Sequence, residues 1–269
     1  MGTLVCFHAH PDDEAISTGG TIARAAAEGH RVVLVLATNG EFGETPDDLA
    51  EGETLADRRM VETARSADVL GVSRLAWLGY KDSGMTGWEQ NADPQSLWQA
   101  PLEDAAARLA AILTEEAADV LTVYDWHGNY GHPDHIMVHR VGHRAAEIAG
   151  TADVFEATMN REHVIRMMTM AREMGETASP GGDDDFDPGG PADDGNPFGM
   201  AEADLTHAVD VSAFVQQKRE SLRCHKSQIT DAGFFSQMPD EVFAMGFGTE
   251  WFIKKGATPG MRPGWLFED

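Results

Sequence analysis

Hydrophobic positions along the chain fall into two alternating patterns. Short apolar runs, "LVCFHAH" (4–10), "RVVLVLATNG" (31–40), "RLAWLGY" (74–80) and "DVLTVYD" (119–125), are dominated by branched and aromatic residues. Runs of that length and continuity are expected of strands buried on both faces. Between and after them lie longer segments with helical spacing: "STGGTIARAAAEGH" (17–30), "TLADRRMVETARSADVLGV" (54–72), "PLEDAAARLAAILTEEAA" (101–118) and "HIMVHRVGHRAAEIAG" (135–150). Gly29, Gly71 and Gly150 are helix stops, and Pro101 followed by acids marks a helix start. Strands alternating with helices predict βαβ units joined by right-handed crossovers. The fold class expected is therefore α/β, a Rossmann-like three-layer arrangement with a mainly parallel sheet.

Past that array the pattern changes. Residues 176–204, "ETASPGGDDDFDPGGPADDGNPFGMAEAD", are rich in Gly, Pro and Asp and poor in core formers. That composition predicts a mobile acidic surface insertion, with a lid over a site as the sharper alternative. "THAVDVSAFVQQKRESLRCHKSQI" (206–229) reads as a strand and a helix, and "EVFAMGFGTEWFIKK" (241–255) as a closing strand or hairpin. Together they form a C-terminal extension of a single domain spanning 1–269.

The strand ends locate the chemistry. Ligands of open α/β sheets sit outside the carboxyl ends of the strands. Four polar clusters fall at such ends: "HAHPDDE" (8–14), "TNGEFGE" (38–44), "YKDSGM" (80–85) and "YDWHGNYGHPDH" (124–135). Neutral imidazole with carboxylate suits a borderline divalent ion such as zinc, and a catalytic zinc keeps three protein ligands with one position open. "HPDDE" and "HPDH" together can supply two histidines and a carboxylate, with a second carboxylate left to take a proton from water. Adjacent Asp12 and Asp13 can divide those duties because their side chains point in different directions. A dinucleotide site is not indicated, since no GxGxxG follows the first strand, and no GxSxG elbow marks a serine hydrolase.

Charge narrows the partners. The formal net charge is −25, from 45 acidic and 20 basic residues, which argues against nucleic acid, whose phosphates need a basic face, and against an anionic membrane surface. At 269 residues and 42% hydrophobic content, the chain can bury roughly 70–75% of its unfolded surface without a staple, so a metal would serve chemistry. Its two cysteines, Cys6 and Cys224, form no framework and are expected to be structural thiols of a cytoplasmic, soluble protein.

"AHPDDE" near the start, paired with the later "GHPDH", resembles the PIG-L/LmbE-like family of zinc-dependent de-N-acetylases. The likeness extends over about residues 4–150, through "RRMVETARSADVLGV" and "KDSGM", and more weakly into "LRCHKSQI". It implies that His10, Asp13 and His135 hold zinc, with ferrous iron as a competitor. It also implies that Asp12 is the general base, that His132 and Tyr130 steady the oxyanion and leaving amine, and that Arg59, Asp82 and His225 contact the sugar. Glu14 would support the site from behind. His8 reads as a satisfied polar residue, and His139 and His143, one turn apart, as a helix surface facing neighbours. The implied substrate is a small N-acylated amino sugar or its conjugate. A mycothiol-conjugate amidase, a natural-product deacylase and a non-catalytic sugar-binding protein are the alternatives, and a homo-oligomer is compatible with the sequence.

Overall fold

The structure is a computed structural model that describes residues 1–173, 186–229 and 238–268. Five parallel strands form its centre: β1 (Thr3–His8), β2 (Arg31–Thr38), β3 (Arg74–Tyr80), β4 (Val120–Tyr124) and β5 (Asp153–Thr158). β6 (His207–Asp210), β7 (Thr249–Lys254) and the two-residue β8 (Arg262–Pro263) extend one edge, giving the order β3-β2-β1-β4-β5-β7-β6-β8. β7 runs antiparallel to both β5 and β6, so the sheet is mixed but mainly parallel.

Alternation along the strands builds the two outer layers. Val5, Phe7, Val33 and Val35 face one core, shared with α4 (Leu102–Glu115) and α6 (Pro133–Ala149), the latter preceded by the short α5 (Gly128–Gly131). Leu4, Cys6, Val32, Leu34 and Leu36 face the other, shared with α2 (Gly19–Ala27) and α3 (Leu55–Leu70). A strand side chain reverses face at each residue, so continuous apolar runs fill both layers. Helix α3 is bounded by local chemistry. Thr54 and Asp57 form a reciprocal capping box at its start, and Gly71 closes it at φ 78°.

Several boundaries depart from the sequence expectation. A short helix that was not expected, α1 (Asp13–Ser17), precedes α2 and is separated from it by Thr18. β5 and the helix after it, α7 (Arg161–Glu173), were not expected. Residues 241–247 are not a strand of a hairpin but lie in a helix, α9 (Asp240–Phe247), with α8 (Val215–Cys224) before it and β7 after it. Pro239 caps α9 and Asp240 and Glu241 occupy its first turn, which favours helix despite the β-prone Val242 and Phe243.

The C-terminal extension is fastened to the sheet by a buried charge. α2 has no side-chain cap of its own. Glu250 of β7 supplies one from a distance, accepting the backbone N–H groups of Gly20 and Thr21 at 2.8 Å each and the Lys218 ammonium at 2.5 Å. Both charged side chains are 2% exposed. Glu250→Ala strands Lys218 in the interior and orphans two helix donors. The expected loss is about 3–5 kcal/mol of folding free energy, read by urea denaturation, with a smaller loss for Glu250→Gln.

The chain runs outward from β1 to β2 and β3, then returns to place β4 on the other side of β1. The resulting crevice between the carboxyl ends of β1 and β4 is the topological switch point where α/β sheets place ligands.

Candidate metal centre

Asp12, Asp13 and His10 lie on the sharp turn between β1 and α1. Asp12 has a positive φ of 93°, a conformation costly for most residues other than Gly, with Asn and Asp the common exceptions. Its neighbours hold the turn: the Asp12 N–H donates to Glu14 Oε2 at 3.1 Å, and the His10 N–H to Asp13 Oδ2 at 2.8 Å. The two aspartates consequently face different groups. Asp13 Oδ2 lies 3.4 Å from His10 Nδ1 and 3.4 Å from His135 Nε2, whereas Asp12 Oδ2 lies 3.2 Å from the Arg59 guanidinium.

The second half of the site comes from the loop after β4. Asp125 accepts the N–H groups of His127 and Asn129 through one oxygen and the Thr158 hydroxyl through the other, so it shapes this loop. Gly128, at φ 66°, leaves no room for a side chain: a Cβ there would lie 2.3 Å from the His135 Cβ. Pro133 then starts α6, with His132 as its N-cap. His132 Nδ1 accepts the Asp134 N–H at 3.1 Å, which places the proton of the neutral ring on Nε2.

His135 is buried, and neither of its ring nitrogens has a hydrogen-bond partner among the described residues. Buried polar atoms are ordinarily paired, and a pair of orphaned imidazole nitrogens beside a carboxylate fits a divalent cation. His10 supplies a second donor. Its Nε2 donates to Asp134 Oδ2 at 3.1 Å, so Nδ1, turned to Asp13, is the nitrogen that would give up its proton to meet an ion. This carboxylate–histidine arrangement is the one that orients metal-binding histidines. Ring nitrogens of His10, His132 and His135 also lie within 4.8 Å of one another.

The electrostatics favour a cation. Burial opposes a charge on His10, but the surrounding Asp82, Asp13 and Asp134 carboxylates raise its pKa well above the ordinary value. Burial disfavours the charged form of Asp13, and His135 and His10 overcome it, holding the acid well below its usual range. Asp12 differs: burial lifts it to about 6 although Arg59 opposes the shift. His132 is pushed well below the ordinary imidazole value by burial and by His10 and His135, so it is neutral. Burial likewise raises the Tyr130 phenol, keeping it protonated.

A cleft of about 180 Å³ opens over this cluster. His10, Asp12, Asp13, Arg59, Asp82, Tyr130 and His132 line it, so most of the residues singled out in the sequence meet in one place. Arg59 is 4% exposed and mostly committed to the scaffold, donating to the Gly40 carbonyl at 2.7 Å and to the Pro11 carbonyl. Asp82 likewise accepts the Gly84 and Phe42 N–H groups.

His225 is not in the cleft, contrary to the expectation of a sugar contact. It is fully buried beneath Asp12, where its Nε2 meets Glu14 Oε1 at 2.7 Å. Glu14 also accepts the Ser66 hydroxyl at 2.5 Å. His225 therefore braces the turn through Glu14 and cannot touch a ligand directly. Sequence reasoning missed Asp134, whose Oδ2 also accepts the Ser83 N–H at 2.9 Å, although the residue stands inside "HPDH". It also missed Phe42, Met85 and Trp88 on the cleft wall. Trp88 is 48% exposed, a signal readable only from coordinates.

The insertion approaches from outside. Of 176–204, residues 176–185 lie outside the described residues. The remainder packs on the loop that carries Tyr130: the Asp193 N–H donates to the Tyr130 carbonyl at 3.1 Å, and the Gly199 N–H to the Asn129 carbonyl at 2.7 Å. His127 lies 3.3 Å from the Asp194 carboxylate, so it faces this segment.

His8 is structural, donating or accepting at both nitrogens with Tyr124 and Thr18, each at 2.8 Å. Burial lowers its pKa to about 4. Above pH ~6.5 the ring is neutral whether folded or unfolded. As pH falls, the unfolded chain takes the proton and the native chain does not. Stability is therefore lost between about pH 6.5 and 4, by about 2 kcal/mol at pH 5 from this residue. Denaturation of wild type and His8→Gln at pH 7 and 5 should show a shallower pH slope in the variant.

Comparison with known proteins places this geometry. The family model described as PIG-L, GlcNAc-PI de-N-acetylase, matches residues 5–146, more than half of the chain. A 1D-myo-inositol 2-acetamido-2-deoxy-alpha-D-glucopyranoside deacetylase of Acidothermus cellulolyticus is 38% identical over 265 residues, covering 93% of this chain and 88% of the relative. This chain belongs to the PIG-L family. A second PIG-L relative, the enzyme of the same name from Thermobispora bispora, is 38% identical over 280 residues, with 96% of this chain and 90% of the relative covered. Among solved structures, the N,N'-diacetylchitobiose deacetylase of Pyrococcus horikoshii superposes with a TM-score of 0.58 at 23% identity, covering 94% of this chain and 83% of that one. That likeness establishes the shared fold.

Proposed function

We propose that this protein hydrolyses the acetamide of 1D-myo-inositol 2-acetamido-2-deoxy-α-D-glucopyranoside, releasing acetate and the free amino sugar. The reading is carried by one observation: relatives bearing that activity in their names match 93% and 96% of the chain. A cleft with buried donors for a cation and an adjacent carboxylate supports it. His10, Asp13 and His135 would hold the ion, zinc or ferrous iron. When bound, the ion acidifies its water and polarises the amide carbonyl.

The chain's own groups do the rest. Asp12 accepts the proton of the attacking water, a task suited to a carboxylate whose pKa is lifted towards neutrality. Arg59 fixes the Asp12 carboxylate, and the Glu14–His225 pair braces the turn behind it. His132 offers Nε2–H, and Tyr130 its phenol, to the developing oxyanion. Asp12, once protonated, delivers that proton to the leaving amine. Asp82 and the wall of Phe42, Met85 and Trp88, which line the cleft, would meet the sugar and inositol.

Metal removal tests the requirement directly. Chelated protein should lose turnover, and one equivalent of zinc or ferrous iron should restore it, with amine release as readout. Undiminished turnover in chelated protein free of detectable metal would contradict a metal-dependent reaction.

A further inference from the structure

A second group of imidazoles lies on the same helix, away from the cleft. His139 and His143 follow His135 at one-turn intervals along α6, and Glu156 faces them from β5. One ring nitrogen of each and one Glu156 oxygen lie within 4.8 Å of one another. From these residues we infer a second divalent-metal site, His139–His143–Glu156, separate from the catalytic cluster and taking a borderline ion such as zinc or cobalt.

Three observations carry the inference. The first is spacing. Glu156 Oε1 lies 2.8 Å from His143 Nε2, and the two imidazole rings are 4.4 Å apart. Ligand atoms around a tetrahedral zinc sit about 3.3 Å apart, given bonds of about 2.0–2.1 Å. Small side-chain rotations about the present positions would meet that geometry. The second is tautomer. His139 Nδ1 lies 3.0 Å from the Tyr124 backbone carbonyl, which can only accept, so the proton is on Nδ1 and Nε2 carries the lone pair. A second hydrogen bond from the opposite nitrogen to a backbone carbonyl is how metal-ligating histidines are oriented. Burial, opposed by Glu156, also lowers the His139 pKa, which keeps the ring neutral and available.

The third is access. The three side chains retain 21%, 17% and 15% exposure, enough for water to complete the coordination shell. Two imidazoles and one carboxylate select zinc, cobalt, nickel or copper over magnesium or calcium, which prefer oxygen. A histidine–carboxylate hydrogen bond accounts for His143 alone.

The test is metal stoichiometry of the full chain, loaded with cobalt or zinc, desalted and assayed for bound metal, with the cobalt visible spectrum recorded. Wild type should hold one equivalent more than His143→Ala and one more than Glu156→Gln. The cobalt bands lost in each variant should match, while circular dichroism stays unchanged. Equal metal content and equal spectra in wild type and both variants would overturn the site. So would a wild type whose entire metal content is lost in His135→Ala. Because the readout is bound metal and not turnover, its failure is separable from failure of the deacetylase reading.

Discussion

Replacing Asp12 by Asn should lower kcat by about 10²- to 10⁴-fold, the usual contribution of a positioned general base, while leaving bound metal unchanged. The substitution is clean for physical reasons. Asn is the residue other than Gly and Asp that best tolerates a positive φ, so the turn at φ 93° should persist. The backbone N–H that anchors the turn to Glu14 is untouched, and Arg59 keeps its contacts with the Gly40 and Pro11 carbonyls. Asp13, not Asp12, lies between His10 and His135, so the donors for the ion remain. The capacity to take a proton is removed, together with the negative charge that faces Arg59. Turnover within about tenfold of wild type would move the base elsewhere.

His135→Ala should lose metal and activity together, with metal affinity falling by more than ~100-fold, since weakening even an outer partner of a ligand typically costs 10–100-fold. Its effect on the fold should be small by comparison. Neither ring nitrogen of His135 is bonded to a described residue, so truncation breaks no hydrogen bond. What is lost is stacking on Tyr124, with ring centroids 4.5 Å apart, an edge contact to Tyr130, a tilted contact to His132 and the approach to Asp13. The expected signature is an intact denaturation transition in metal-free protein combined with failure of added zinc to raise it. Wild type, by contrast, should gain stability in proportion to the logarithm of free metal. An unchanged zinc-induced shift in His135→Ala would remove this residue from the ligand set.

The parts of the fold that were legible in the sequence are those in which one physical signal dominates. β1, β2 and β4 are continuous apolar runs because both faces are covered, and Gly71 and Gly150 mark helix ends because each takes a left-handed φ. β5 was missed because "DVFEAT" interrupts its apolar residues with Asp153 and Glu156, the latter paired with His143 on α6. α9 was misread because Val242 and Phe243 favour strand, while the deciding signals, Pro239 and two acids in the first turn, are local and short.

The candidate site shows the same division. Motif spacing brought His10, Asp12, Asp13, His132 and His135 together correctly, since each stands within a few residues of a strand end. His225 could not be placed in that way. Its role depends on α8 packing against α3 and delivering the ring beneath Glu14, 211 residues away in sequence. Asp134 was overlooked because its partner, His10, is 124 residues distant. Residues that act through another side chain leave little trace in a pattern of spacings.

The most direct test of the central claim is hydrolysis of 1D-myo-inositol 2-acetamido-2-deoxy-α-D-glucopyranoside by metal-loaded protein, with acetate and primary amine quantified in parallel. N-acetylglucosamine and a mycothiol conjugate serve as comparison substrates. One acetate per amine, with the inositol conjugate preferred, is the expected result. No acetate from any of the three by protein shown to carry metal, or amine released only from the thiol conjugate, would contradict it.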